Sequence, residues 1–350
     1  MKILMLMPSL SGGGAERHLA LLGGELVARG HDVRVVHLVE GPGLWPERIA
    51  THRLAEWRGL HRHVFRVAEV VRLTRKWKPD LVQTCLPIMD VIGGLAAIWC
   101  RVPWVLREPS TRPAYGNDLL SRMRNAVARQ GVSAVIANSN AGADYWSHIA
   151  HHVSVIRNAT PTPQTTPLDH TTRRGLFVGR LAVEKNVDVL LRACAIADVD
   201  LDICGDGPLR AQLEALAREL GIADRVRFHG YINGLDARRR EAAFAILISD
   251  FEGHPNAAVE ALAAGTPMIL SDIDTHRELA EESEALFVPP RDVDATAAAI
   301  RNVLDDRDGA QRRADRARER VAAWTVEAMT DAYEAIYASL LATSPSASAR

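Results

Sequence analysis

Four charged side chains carry the chemistry this sequence can offer. Arg180 and Lys185 sit in GRLAVEKN directly after an apolar run, and Glu252 and Glu260 stand eight residues apart in DFEGHPNAAVEALAAGTP, residues 250–267. A guanidinium supplies a planar fork and an ammonium a point charge, two common ways to hold a diphosphate and to neutralise the charge it gains on leaving. Carboxylates accept hydrogen bonds from sugar or ribose hydroxyls. Taken singly, each residue also has a plainer reading: solvated loop cations for Arg180 and Lys185, a loop charge for Glu252, a helix-surface residue for Glu260. The apolar neighbours Ala257, Ala258, Val259, Ala261 and Leu262 argue against a solvated face at Glu260.

Two glycine turns add backbone to this set. Gly205 and Gly207 lie in ICGDGP, and Gly13 and Gly14 lie in the run GGGAE. Glycine lets a ligand approach the main chain, and it equally serves a tight turn with no ligand. The GGGAE loop does not match GxGxxG, which disfavours a dinucleotide site.

Placing these residues requires strands that end where the motifs begin. Short runs rich in Val, Ile and Leu alternate with helical patterns, the mark of βαβ units on parallel sheets. Strands are expected at residues 3–7, 33–38, 81–84, 104–106, 134–138 and 153–156, then at 175–178, 201–203, 227–229, 245–248, 268–270 and 285–288. Helices should start near Ala15, Val64, Met89 and Ala141, and cover 187–197, 208–220, 256–264 and 295–304. The stretch 250–267 then reads as strand end, loop, a helix opening near Pro255, and a stop at Gly265 and Pro267. Such a helix points its N-terminus out of the carboxyl edge of a sheet, where open α/β sheets bind ligands and N–H groups favour phosphate.

The fold class is therefore α/β, with two doubly wound domains. A chain of 350 residues fits two cores, and 47% hydrophobic with 24% charged residues excludes disordered, collagenous and membrane-embedded classes. A Pro- and Thr-rich linker at 158–173 places one domain at 1–165 and the next at 166–323, followed by a helix at 324–341 that crosses back and a disordered tail at 342–350. Cys85, Cys100, Cys194 and Cys204 show no ligand spacing and read as thiols of a reducing compartment. The apolar start, residues 3–7, is too short for an export signal or a span, so a cytoplasmic location is expected.

Net charge is −1, yet residues 1–168 hold 20 Lys+Arg against 12 Asp+Glu and the remainder 22 against 31. That asymmetry suggests an anionic partner for the first half. Residues 58–78 hold seven Lys+Arg against the single Glu69, with Val64, Val67 and Val71 on one helical stripe. An anionic membrane surface and simple packing on the sheet both explain the pattern. Nothing points to nucleic acid.

Along nearly the whole chain run GGGAERHLALLGGELVARGHDV, ANSNAGADYW, VIRNAT, GRLAVEKNVDVLL, ICGDGPLRAQLEALA, VRFHG and SDFEGHPNAAVEALAAGTPMILSD. In that order and spacing they resemble the retaining family-4 glycosyltransferases with the GT-B fold. The resemblance implies two Rossmann-like domains facing across a cleft and a nucleotide-sugar donor, UDP-linked and carrying a hexosamine or hexose. Arg180 and Lys185 would bind its diphosphate and stabilise the leaving group, Glu252 would hold sugar hydroxyls, and Glu260 the ribose. Backbone at Gly179, Gly253, His254, Asn256 and Ala257 would line the site, Gly13 and Gly14 would face it, and Asn158 and Gly205 would border the cleft.

Many members carry a histidine at the strand end that here reads Arg107-Glu108. Arg107 then becomes a sugar or phosphate contact, or a structural ion pair with Glu108. No cofactor and no metal are implied: no Asp-x-Asp metal motif is expected, and the basic pair takes the cation's place. The family's mechanism is front-face attack by the hydroxyl of a glycan or lipid-linked acceptor, the leaving phosphate taking its proton. Two rivals remain, a nucleotide-sugar epimerase of related fold, which would form product without an acceptor, and a non-catalytic nucleotide-sugar-binding protein.

Overall fold

The computed structural model describes residues 1–11, 13–41, 45–57, 59, 61–111, 118–159, 172–232 and 234–343, without the side chains of Asp236 and Arg240. The core of the linker, the tail beyond 343, Gly12, Arg58 and Leu60 lie outside the described residues. Two compact units emerge, Met1–Ala159 with Trp324–Arg350, and Thr160–Ala323. Each is built on one parallel sheet.

The first sheet runs β3-β2-β1-β4-β5-β6-β7, from β1 (Lys2–Leu6), β2 (Asp32–His37), β3 (Ala50–Arg53), β4 (Leu81–Cys85), β5 (Trp104–Glu108), β6 (Ala134–Ala137) and β7 (Val153–Val155). Side chains alternate between its faces, as the strand period of two demands. Ile3, Met5, Val33, Val35 and Val105 enter one core, and Leu4, Leu6, Val36, Val82 and Leu106 the other. Helices must cover both faces of such a sheet. On the first face lie Gly14–Ala28 and the last helix, Val326–Thr343, whose Met329, Tyr333 and Tyr337 are core residues. Tyr337 donates its hydroxyl to Gln83, and Arg29 grips Asp331 and Glu334 at 2.5 and 2.6 Å. The other face is covered by Arg62–Trp77, Pro87–Cys100, Leu119–Gly131 and Asn140–Ser147.

Two of these elements have no counterpart in the sequence reading. Strand β3 is a mostly exposed edge strand, ATHR, with no apolar run to announce it. The helix Leu119–Gly131 buries only Ser121, Arg124, Val127 and Ala128, and its one local signal is Asp118, whose side chain accepts from the Ser121 N–H at 2.8 Å. The helix Arg62–Trp77 corrects the amphipathic stripe. Val70 and Thr74 are its buried positions, and Val67 and Val71 pack on the second core, while Val64, 65% exposed, and Phe65 are its large apolar residues that stay outward. Among the described residues no helix is long and apolar enough to cross a membrane.

The second sheet runs β10-β9-β8-β11-β12-β13, from β8 (Arg174–Val178), β9 (Asp200–Cys204), β10 (Val226–Gly230), β11 (Phe244–Leu247), β12 (Met268–Ser271) and β13 (Leu286–Val288). Helices Val187–Ala197, Arg210–Glu219, Val293–Asp305 and Arg307–Val321 share its core.

Beneath the first sheet's second face sits a fully buried charge network. Arg124 donates to Asp90 at 2.6 Å and to Glu108 at 2.7 Å, and its guanidinium lies 4.8 Å from the Trp146 ring centroid. Burial pushes the Asp90 carboxyl up to about 6 against the pull of Arg124. Two carboxylates depend on one cation. Arg124→Met should therefore cost about 3–5 kcal/mol in denaturant unfolding at neutral pH, and less in acid where the Asp90 carboxyl takes its proton; a loss under about 1 kcal/mol would show that the network is dispensable.

Candidate functional site

The second sheet reverses its winding between β8 and β11, where the loops leaving the two strands diverge at the carboxyl edge. Ligands of doubly wound sheets bind at such points. The loop after β8 turns through a short 3₁₀ segment, Val183–Lys185, and ends at Asn186 in the left-handed region, φ 47°. Asn186 donates to the Ile248 carbonyl at 2.9 Å and to Asp250 at 2.8 Å, while the Asp250 N–H donates to Glu184 at 2.8 Å. The two loops are thus stitched together.

Across that seam Lys185 donates to Glu252, with side-chain exposures of 16% and 11%. Ser249 donates its hydroxyl to the same carboxylate oxygen at 2.7 Å. Burial by itself would raise the Glu252 carboxyl, but the Lys185 charge, with the hydrogen bonds from Lys185 and Ser249, outweighs it and holds the group below the usual range. His276 lies within electrostatic reach and pulls the Glu252 carboxyl the same way, while burial lowers its own titration.

Arg180 does not join this pair. It is 69% exposed and bonded to Glu184 at 2.8 Å, so Arg180 and Lys185 are unequal cations and not the matched pair read from sequence. The two glycine positions explain each other. At Gly205, φ is 149° and a Cβ would lie 1.9 Å from the Gly179 carbonyl oxygen. Only glycine lets the turn after β9 nest against the loop after β8, where the Leu181 N–H reaches the Asp206 carbonyl at 3.0 Å.

The helix Asn256–Ala263 opens after Pro255 with no side-chain cap. Gly253 and His254 are buried, and Asn256 and Ala257, half-buried, form its first turn. Glu260 is buried and ion-paired to Arg239 from the short helix Asp236–Arg240. That partner was missed because 21 residues and a strand separate the two in sequence.

In the first unit Arg107 is buried and donates to Asn158 at 2.6 Å. The expected alternative, an ion pair with Glu108, is overturned. Successive strand residues face opposite ways, so Glu108 meets Arg124 and Trp146 on the other side. Near Arg107 stands Glu16, in the first turn of the helix that Gly14 opens after Gly13. Gly13 and Gly14 are exposed, and the Glu16 carboxylate lies over Gly13, 2.2 Å from where a Cβ would stand, so a side chain there would push the carboxylate aside. Burial raises the Glu16 carboxyl, offset in part by its own N–H and by Arg107.

Asp-x-Asp spacings do occur, against expectation, at 198–202, 272–274, 292–294 and 306–308, the last with Asp306 accepting from the Gly309 N–H at 2.9 Å. Arg225 takes Asp198, Arg174 takes Asp200 and Asp202, Arg277 takes Asp272, and Asp292 caps a helix through the Ala295 N–H at 2.8 Å. Among the described residues no group of three acidic, His or Cys side chains is arranged to hold a metal ion.

Because the folded Glu252 titrates below its ordinary value of 4.5, its stabilising contribution is present above that value and is lost as pH falls through the depressed one. Glu252→Gln should therefore be less stable than the parent at neutral pH, and the gap should close as the pH falls below the ordinary value of 4.5 and through the depressed one. A gap independent of pH in denaturant unfolding would show that no ionised carboxylate is involved.

The family described as Glycosyltransferase Family 4 matches residues 12–163, and that described as Glycosyl transferases group 1 matches residues 160–320. The chain is 27% identical to the glycogen synthase of Mycobacterium tuberculosis over 92% of its own length and 90% of that protein. To LpsD of Rhizobium meliloti, a lipopolysaccharide core biosynthesis glycosyltransferase, it is 28% identical over 84% and 85%. Its structure matches that of Anabaena HepE in complex with UDP-glucose at a TM-score of 0.87, with 21% identity and coverage of 97% and 100%. Two consecutive matches, two parallel sheets and the ordered motifs agree: the chain belongs to the group 1, family 4 type of glycosyltransferase with the GT-B fold.

Proposed function

We propose that the chain moves a hexose or hexosamine from a UDP-linked donor to a hydroxyl of a glycan or lipid-linked acceptor, with retention of configuration and without a metal. The observation that carries this is the Lys185–Glu252 pair at the switch point of the second sheet. One spot offers a cation for phosphate and a carboxylate for sugar hydroxyls, beside an uncapped helix start. The UDP-glucose bound to the similar Anabaena protein and the part of LpsD in lipopolysaccharide core biosynthesis support the choice of donor and acceptor class.

Lys185 has three N–H donors, so it keeps its bond to Glu252 while turning others to the β-phosphate. Arg180 leaves Glu184 at small cost, since an exposed pair is worth about 0–1 kcal/mol, and adds a second charge. N–H groups at Asn256 and Ala257 receive phosphate at the helix start, and Glu260, steadied by Arg239, takes the ribose. As the bond from the anomeric carbon to the phosphate oxygen breaks, the acceptor oxygen bonds to that carbon from the same face. Its proton passes to the departing phosphate. Glu16, Arg107 and Asn158 form the polar group of the first unit, suited to an acceptor.

The same assay tests cation and metal. Lys185→Ala should lower turnover about 10²–10³-fold in measurements of nucleoside diphosphate release across UDP-, GDP-, ADP- and dTDP-sugars, and wild-type turnover should persist in EDTA. Near-wild-type turnover of the variant at saturating donor, or a Mg²⁺-reversible loss in EDTA, would contradict this reading.

For a lipid-linked acceptor the first unit would rest on an anionic, cytoplasmic leaflet through the N-terminal turn of Arg62–Trp77. There Trp57 stacks on Phe65 at 4.6 Å, Val64 is outward and Arg62 is exposed, while Arg72 and Arg75 are exposed further along the helix. Co-sedimentation with anionic liposomes should fall with salt, screened over about 8–10 Å, and drop when Phe65, Arg62 and Arg66 become Ser. Salt-insensitive binding, or none, favours a soluble acceptor.

A further inference from the structure

His276 is fully buried, and nothing in the proposed chemistry uses it. It lies in the short helix Asp274–Arg277 after β12, and its Nε2 has no hydrogen-bond partner among the described residues. A buried unpaired nitrogen is a cost that a leucine of similar size would avoid. Its other nitrogen shows what is gained. Nδ1 lies 3.0 Å from the Ser271 carbonyl oxygen and 3.0 Å from the Ser271 hydroxyl oxygen.

The tautomer follows from counting hydrogens. A carbonyl can only accept, so the Ser271 hydroxyl spends its single hydrogen on the Ser249 carbonyl at 2.7 Å. Nδ1 must then be the donor to Ser271, and it carries the proton. Ser249, whose carbonyl is held in this way, donates its own hydroxyl to Glu252 at 2.7 Å. The links run His276, Ser271, Ser249, Glu252 and end on the carboxylate that Lys185 also holds.

We infer that His276 is a positioning residue for Glu252, acting through Ser271 and Ser249 to fix the rotamer in which that carboxylate meets the donor sugar. The inference rests on the reading of Glu252 as the sugar-binding group. A side chain that only filled space would be indifferent to which nitrogen carries hydrogen. Glu252 is fixed by one polar chain from β12 and one cation from the loop after β8, and its aim is set from two directions.

The experiment uses the full chain with UDP-sugar donors, measuring turnover, donor KM and discrimination between sugar epimers. Asn places its amide nitrogen near the position of Nδ1, and Gln places its own near Nε2. His276→Asn should keep near-parent values, whereas His276→Gln, Ser271→Ala and Ser249→Ala should each lose about tenfold in kcat/KM and blunt epimer discrimination. UDP binding by calorimetry should be unchanged in all four. In a Glu252→Ala background the serine and histidine changes should have no further effect. Ser249→Ala removes only a hydroxyl and keeps the test sound if the histidine variants fold poorly.

If Glu252→Ala itself leaves turnover and donor KM at parent values, the site reading falls and the relay with it. If Glu252→Ala impairs the enzyme while Ser249→Ala and Ser271→Ala do not, or if His276→Gln equals His276→Asn, the relay alone is overturned.

Discussion

The arrangement of the second unit turns on one buried ion pair. Lys185 and Glu252 come from loops 67 residues apart that meet only because β8 and β11 are neighbours in the sheet. A carboxylate taken out of water is tolerable when it is paired and hydrogen-bonded, and costly otherwise. The surroundings satisfy that condition: Ser249 fills out the carboxylate, Asn186 and Asp250 clamp the loops, and Arg291 grips Asp250 at 2.6 Å. Sheet order brings the charges together, and the loop bonds keep them there.

The same requirement explains the glycine at 205. Were the turn after β9 to carry a side chain, the loop after β8 would be displaced by its own backbone carbonyl, and Lys185 with it. A residue with no polar side chain thus controls where a charge sits. Its conformational freedom is spent on packing one loop against another, which is a sufficient reason for it before any ligand is considered.

Much of this was legible in the sequence, for an identifiable reason. Strands buried on both faces must be apolar along their length, so runs such as ILML and FAIL stand out beside helical periods. The helix after β11 announces itself by Pro255 before it and Gly265 after it. What escaped is non-local or half-exposed. Strand β3 pairs by backbone alone and presents ATHR to solvent. Arg239 is one arginine among several in ARRR, and nothing local says which of them turns inward to Glu260. Arg107 and Glu108 looked like a pair because they are adjacent, although adjacency on a strand separates side chains. His276 hid in a four-residue helix whose spacing carries no pattern.

The helix Val326–Thr343 supplies Met329, Tyr333 and Tyr337 to the same core as Ile3 and Met5, so the first unit is interrupted by the whole of the second. On the ribosome the order of completion is then inverted. The strands β1–β7 emerge first but lack part of their apolar cover until Val326–Thr343 is made, while the second unit, continuous in sequence, is already entire. The nascent first sheet must wait with one apolar face partly bare, a surface of the kind that chaperones bind. Any truncation that removes the final helix would leave that waiting state permanent.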